Sequence, residues 1–110
     1  MGSKKKILLL GDSVRINYQN YVALKLKEEA DVYFPSDNGR FCQYTLKNIW
    51  NWWNELSNNG EIKFDVVHFN CGLWDVIRLK VLEGEEDSRL TTPCVYRESL
   101  IKIFKSIKNV

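Results

Sequence analysis

The chain has 110 residues, 45% of them hydrophobic and 27% charged, a composition typical of one folded domain and not of a disordered or fibrous protein. Its net charge of +2 comes from 16 basic and 14 acidic residues, which are dispersed except in Lys4-Lys5-Lys6. No basic stripe of the kind that binds nucleic acids is present, so we expect no nucleic-acid partner. We interpret residues 1–110 as a single domain, with Met1 to Ser3 as a cloning remnant.

The three cysteines, Cys42, Cys71 and Cys94, form neither a CxxC pair nor a cluster with the single histidine. An odd number at unrelated spacings indicates neither a disulfide framework nor a zinc site. The apolar run after the first lysines is too short for a signal peptide or a membrane span. We therefore expect a cytoplasmic protein with no metal, no cofactor and no membrane partner.

The stretch that organises the chain is the apolar run Ile7 to Leu10, which ends in Gly11-Asp12-Ser13. A short continuous apolar run before a tight turn is typical of a buried parallel strand. Open α/β sheets bind ligands beyond the carboxyl ends of their strands, so Ser13 is a candidate nucleophile. The alternative is that Ser13 or Asp12 only caps the following helix.

Five further elements follow, and their apolar periodicity predicts helices and strands in strict alternation. In chain order they are a helix over about 14–29, a strand over 31–34, a helix over about 43–58 closed by Asn58-Asn59-Gly60, a strand over 64–70, and a helix that begins at Thr92-Pro93. Residues 76–90 predict a loop or a small hairpin, because Gly84 and its acidic neighbours separate two weakly apolar stretches.

Helical spacing and strand position also predict which side chains are buried. In the second helix, Trp50 and Trp53 fall on the core-facing stripe and Trp52 falls off it. The last helix is expected to bury Tyr96, Leu100, Ile103, Phe104 and Ile107. His68, inside the third strand, is expected to pack and not to act as a base.

The alternation of strands and helices predicts an α/β fold with a parallel sheet and helices on both of its faces. Right-handed crossovers most simply give the strand order 2-1-3. This order places the carboxyl ends of the first and third strands side by side, and so brings Ser13 and the turn at Gly72 into one crevice.

Three short motifs resemble those of the SGNH or GDSL-like hydrolases, a flavodoxin-like family of serine esterases, deacetylases and lipases. Gly11-Asp12-Ser13 resembles the block that contains the nucleophile, Asn38 to Thr45 resembles the second block, and Gly72-Leu73-Trp74-Asp75 resembles the third. The resemblance implies a partial three-layer sandwich in which Ser13 attacks a small acyl ester, with carbohydrate esters among the candidates.

The resemblance also implies the donors that would stabilise the oxyanion: the Ser13 N–H, a backbone N–H of the second block and an asparagine side chain of the third. Aligning Asn38 with the family asparagine places Arg40 at the second-block glycine. A shift of one residue places Gly39 there instead.

The third block departs from the family pattern, because Trp74 stands where the oxyanion asparagine belongs. Asn70, two residues before Gly72, is either its replacement or a buried amide bonded to the backbone. Asp75 matches the last residue of the block and is expected to brace the loop.

The general base of the family, a histidine in a C-terminal Asp-x-x-His block, has no counterpart in this sequence, and neither do the fourth and fifth strands. A serine without a base is a poor nucleophile, so we expect little or no turnover by the chain alone. The third strand is expected to expose an unpaired edge. We therefore expect a fragment or engineered half that needs a complementary C-terminal half, or a chain that self-associates through this edge. A non-catalytic flavodoxin-like interaction module is the alternative function.

Overall fold

A computed structural model of the protein describes residues 4–80, 84 and 88–109, which leaves the expected cloning remnant, Met1 to Ser3, outside the described residues. Strands and helices alternate strictly, as the sequence predicts. In chain order they are β1 (Lys5–Leu10), α1 (Ser13–Lys25), β2 (Ala30–Tyr33), α2 (Cys42–Leu56), β3 (Val66–Phe69) and α3 (Pro93–Lys108).

The strands form a three-stranded parallel sheet in the order β2-β1-β3, which confirms the predicted order. The central strand is β1, where Leu8 pairs with Tyr33 on one side and with Val67 on the other. Leu8, Leu9 and Leu10 are all buried. The uninterrupted leucine run is therefore explained by a strand that has neighbours at both edges and cover on both faces.

One face of the sheet packs against α2 and α3. Its core consists of side chains from β1, α2 and α3: Leu8, Leu10, Cys42, Ile49, Trp52 and Ile103. The other face belongs to α1, whose Tyr18 packs edge-to-face on His68. The next residue of β3, Phe69, packs instead on Phe104 of α3. Successive strand residues point to opposite faces, so the helices cover both faces, as predicted.

Helix α3 begins, and the turn after α2 lies, at the residues predicted from the sequence. Thr92 is the N-cap of α3 and accepts a hydrogen bond from the Val95 N–H, with Pro93 at the first helical position. Beyond α2, the left-handed residues are Asn58 (φ 52°), Asn59 (φ 58°) and Gly60 (φ 92°). Both features confirm their predictions.

The first helix ends earlier than predicted, at Lys25 instead of residue 29. Ala30, expected beside the helix, opens β2 and pairs with Lys5. The N–H of Lys5 donates to the Glu29 carbonyl at 3.2 Å. Pairing with β1 therefore decides where α1 stops, and this long-range effect overrides the helical spacing of the sequence.

The tryptophan assignment in α2 was wrong. Trp52 is 6% exposed and lies in the core, whereas Trp50 is 58% exposed. The buried stripe contains Cys42, Thr45, Ile49 and Trp52. The prediction followed only the largest apolar residues, but two small side chains, Cys42 and Thr45, fix the orientation of the helix. Trp50 packs on Trp53 on the outer side, with ring centroids 4.9 Å apart.

The burial prediction for Phe104 is wrong, because this residue is 54% exposed. His68 is exposed as well, but its ring packs on Tyr18, as predicted. Among the described residues β3 pairs only with β1, so no strand covers its other edge. Between β3 and α3, an antiparallel bridge joins Arg78 and Arg89, which favours the small hairpin over the loop.

No helix in residues 4–80, 84 and 88–109 combines the length and apolar character that a bilayer crossing requires.

Candidate active site

Three loops meet at the carboxyl edge of the sheet. The Gly39 N–H, after β2, donates to the Gly11 carbonyl, after β1, at 2.8 Å. The Asp12 N–H donates to Oδ1 of Asn70, after β3, at 3.3 Å. A Cβ on Gly39 would lie 2.7 Å from the Gly11 oxygen, and one on Gly11 would lie 2.7 Å from Asn70 Nδ2. The backbones approach this closely because both positions lack a side chain.

Ser13 is the first residue of α1 and is exposed. Asp12, not Ser13, is the N-cap, since its carboxylate accepts from the Val14 N–H at 2.9 Å. Among the described residues, neither the hydroxyl nor the N–H of Ser13 has a hydrogen-bond partner. The helix N-terminus also favours negative charge at this position. Ser13 is thus an accessible hydroxyl beside an unused backbone donor.

The loop after β2 contains Gly39 and Arg40, the two candidates for the backbone donor of the second motif. Arg40 has φ 54°, in the left-handed region that favours glycine. Its N–H donates to Asn38 Oδ1 at 2.8 Å, and the Gly39 N–H already bonds Gly11. Both candidate donors for an oxyanion are therefore already engaged, the Arg40 N–H within its own loop and the Gly39 N–H with the turn after β1.

Asn70 reaches the Ser13 turn directly. Its side-chain oxygen accepts from the Asp12 N–H, and its Nδ2 lies 3.4 Å from the Tyr18 hydroxyl. The expected bond to backbone is therefore present. The distance to Tyr18 is long for a hydrogen bond, so much of the donor capacity of the amide remains. Asn70, and not Trp74, is the side chain that the structure brings to this turn.

Asp75 fastens the turn after β3 to α2. Its carboxylate is 2% exposed, and both of its oxygens lie 3.1 Å from the backbone nitrogen of Cys42, whose N–H they accept. Phe41, the N-cap residue of α2, provides no side-chain cap. A carboxylate from another loop therefore satisfies an N–H in the first turn of α2, where the helix dipole also favours negative charge.

Gly72 lies against α3. A Cβ at this position would be 3.0 Å from the Tyr96 hydroxyl, and that hydroxyl donates to the Cys71 carbonyl at 2.7 Å. The Gly72 carbonyl also accepts from the Val76 N–H at 3.3 Å, and in the described part of the chain no hydrogen bond joins Gly72 to the Ser13 turn. Ser13 and Gly72 were predicted to share one crevice. In the structure they are linked indirectly, because Asn70 bonds the Ser13 turn and Cys71 lies between Asn70 and Gly72.

The buried thiols are poor competitors of Ser13 as nucleophiles. Burial, followed by the hydrogen bond to Asp75, raises the pKa of Cys42 to about 12. Burial and the charge of Asp75 raise the pKa of Cys71 to about 11. A thiol is nucleophilic as the thiolate, so both cysteines are unreactive near neutral pH.

Within residues 4–80, 84 and 88–109, no general base contacts Ser13. His68 is the only histidine of the chain, and its recorded side-chain contact is the ring of Tyr18, at 6.2 Å between centroids. Within the described part of the chain, no cluster of three or more histidine, cysteine or acidic residues suits a metal ion.

The sequence places Arg15 near the crevice as a residue compatible with a carbohydrate ester or a small acyl group, but its structural role was not predicted. It is fully buried, and its guanidinium donates to the carbonyls of Gly11 (3.0 Å), Pro35 (2.8 Å) and Asp37, and to Gln19 Oε1 (2.6 Å). Burial lowers its pKa. A sequence signal exists, because a cation in the first turn of a helix opposes the helix dipole and needs another reason to be there.

Comparisons of the chain with models of protein families, with curated proteins and with solved structures gave no match. The geometry of the site is therefore the basis for assigning a function.

Proposed function

We propose that this chain is the nucleophile-bearing half of a serine acyl-ester hydrolase of the SGNH or GDSL-like type, built on a partial flavodoxin-like fold. The observation that supports the proposal is the convergence of the three motif loops. Asn70 bonds the turn that presents Ser13, and Gly39 packs on Gly11 of the same turn. A cytoplasmic location is part of the proposal, because Cys42, Cys71 and Cys94 are free.

In this proposal Ser13 Oγ attacks the carbonyl carbon of a small acyl ester while a base accepts its proton. The carbonyl oxygen becomes negative and accepts hydrogen bonds from the Ser13 N–H and the Asn70 amide. The base then protonates the leaving alcohol, and water hydrolyses the acyl-enzyme. Because the N–H groups of Gly39 and Arg40 are engaged, we assign these residues to holding the Ser13 turn.

The base must come from outside the described residues, and the edge of β3 is where a complementary half would attach. The Asn70 N–H donates to Leu10 of β1, so strand alternation turns the backbone groups of Val67 and Phe69 to the opposite edge. Val66 is 49% exposed on the α1 face, and Phe104 is 54% exposed on the α3 face. A partner strand would bond this edge and cover both side chains.

Labelling with a small fluorophosphonate, with imidazole added as an external base, tests the assignment of Ser13. We expect slow labelling that imidazole accelerates, because a positioned base contributes about 10²- to 10⁴-fold and a diffusible one only part of that. Mass spectrometry should locate the adduct on Ser13, and S13A should abolish it. S36A removes another exposed serine and should leave labelling unchanged. An adduct elsewhere, or one that persists in S13A, would refute the proposal.

The exposed edge of β3 also supports the second candidate, a non-catalytic module that self-associates through this edge. Sedimentation equilibrium should then show a dimer that V66K dissociates, because an edge lysine blocks strand pairing. L24K alters an exposed leucine of α1 and serves as the matched control. A monomer at all concentrations would rule out the module, and so would ester turnover that depends on Ser13.

A further inference from the structure

A cavity of about 240 Å³ opens between the turn after β3 and the start of α3. Gly72, Val76, Pro93 and Tyr96 form its apolar wall, and Asp75, Arg89 and Thr91 lie at its polar side. Small-molecule sites combine a mainly apolar surface with a few polar groups in this way.

Gly72 and Tyr96 both line the cavity, and they lie too close together for a side chain at residue 72. Gly72 has φ 144°, and a Cβ there would lie 3.0 Å from the Tyr96 hydroxyl. Tyr96 is held in place by its hydrogen bond to the Cys71 carbonyl. A larger residue at position 72 would need to displace Tyr96 and would project a side chain where the cavity now opens.

The cavity lies next to the groups assigned to catalysis. Only Cys71 separates Gly72 from Asn70, so their Cα atoms are at most about 7 Å apart. Asn70 in turn bonds the Asp12 N–H in the turn that presents Ser13. A chain of direct contacts therefore runs from Ser13 through Asn70 to the cavity wall.

We propose that this cavity binds the acyl group of the ester that Ser13 attacks, and that it selects short unbranched acyl chains. This inference rests on the proposed function. A volume of about 240 Å³ is of the size of about eight water molecules at roughly 30 Å³ each, which suits a short acyl chain of about that many non-hydrogen atoms. The apolar wall favours methylene groups, each of which improves binding roughly fourfold when buried.

Binding of hexanamide, a neutral and non-hydrolysable mimic of a hexanoyl ester, tests the inference without requiring turnover. In ¹⁵N-resolved NMR titrations, hexanamide should shift the amide signals of Gly72, Val76 and Tyr96. It should bind at least tenfold more tightly than acetamide, because four more methylenes are buried. V76W should weaken binding at least tenfold by filling the cavity. L73W changes an equally exposed residue of the same turn that does not line the cavity, and should bind as the wild type does.

The outcomes separate this inference from the proposed function. Absence of hexanamide binding, or binding that V76W leaves unchanged, would overturn the acyl site while labelling of Ser13 could still support the hydrolase. Hexanamide binding without labelling of Ser13 would overturn both the hydrolase and the acyl assignment. Binding that V76W weakens, together with labelling of Ser13 in both proteins, would support both.

Discussion

Replacing Arg15 with methionine is expected to lower the free energy of unfolding by about 4 kcal/mol, the size of effect that loss of a buried network produces. The guanidinium joins the turn after β1 to the loop after β2 through the carbonyls of Gly11, Pro35 and Asp37. Methionine fills a similar volume but donates no hydrogen bond. The Gly11 carbonyl would keep the Gly39 N–H as a donor, but the carbonyls of Pro35 and Asp37 would lose the guanidinium, at a cost of about 1 to 3 kcal/mol for each group left unsatisfied.

Replacing Arg15 also removes the free-energy cost of burying its charge, and this gain opposes the expected loss of stability. Burial lowers the pKa of Arg15, which shows that the surroundings disfavour the charge itself. Replacing a buried ion pair with apolar residues is often neutral, since both partners leave together. Here the acceptors are backbone carbonyls that remain when Arg15 is replaced. The cost of leaving these carbonyls without a donor is therefore expected to exceed the desolvation free energy that is recovered.

Equilibrium unfolding in urea, followed by tryptophan fluorescence, measures this effect. R15K should fall between R15M and the wild type, because an ammonium group donates to some of these carbonyls but lacks the planar fork of the guanidinium. Arg97 is exposed on α3, so R97M should change stability by less than about 0.5 kcal/mol. Equal stability of R15M and R97M would contradict the role given to Arg15.

Local sequence signals predicted the order of elements and the sheet, for identifiable reasons. The leucine run predicted a buried parallel strand, and right-handed crossovers then placed it at the centre of the sheet, where Leu8, Leu9 and Leu10 are all buried. The start of α3 was predicted from Thr92-Pro93, because an N-cap residue and a proline at the first helical position act within the first turn of the helix. Both features depend on residues that are close together in the sequence, so the sequence alone is enough to predict them.

Features that depend on distant contacts were not predictable. The orientation of α2 depends on two small buried residues, Cys42 and Thr45. A prediction based on the spacing of large apolar residues does not take them into account. The exposure of Phe104 depends on what covers the far side of β3. At the site, the Ser13 turn, Gly39 and Asn70 were expected to lie together, and they do. The backbone N–H groups of Gly39 and Arg40, however, donate to Gly11 and Asn38, and these hydrogen bonds depend on the folded conformation of the loop.

Replacing Gly39 with alanine is expected to lower the free energy of unfolding by about 3 kcal/mol, the upper range for overpacking a tight site. The added Cβ would lie 2.7 Å from the Gly11 carbonyl oxygen and 3.0 Å from Thr45 Oγ1. Neither neighbour moves easily. Gly11 is backbone between β1 and α1, and the buried Thr45 donates its hydroxyl hydrogen to the Gly39 carbonyl at 2.8 Å. The loop after β2 must therefore separate from the Ser13 turn.

This separation should affect Ser13 as well as stability, which distinguishes a site residue from a general packing residue. At a temperature where G39A remains folded, fluorophosphonate labelling of Ser13 should be at least tenfold slower, because the turn loses the bond that fixes it to Gly39. Gly84 is the matched control, since it has φ 93° but nothing within 4 Å of an added Cβ. G84A should cost about 1 kcal/mol of backbone strain and leave labelling unchanged. If G39A labelled Ser13 as fast as G84A does, the close approach of Gly39 to Gly11 would have no part in presenting the nucleophile.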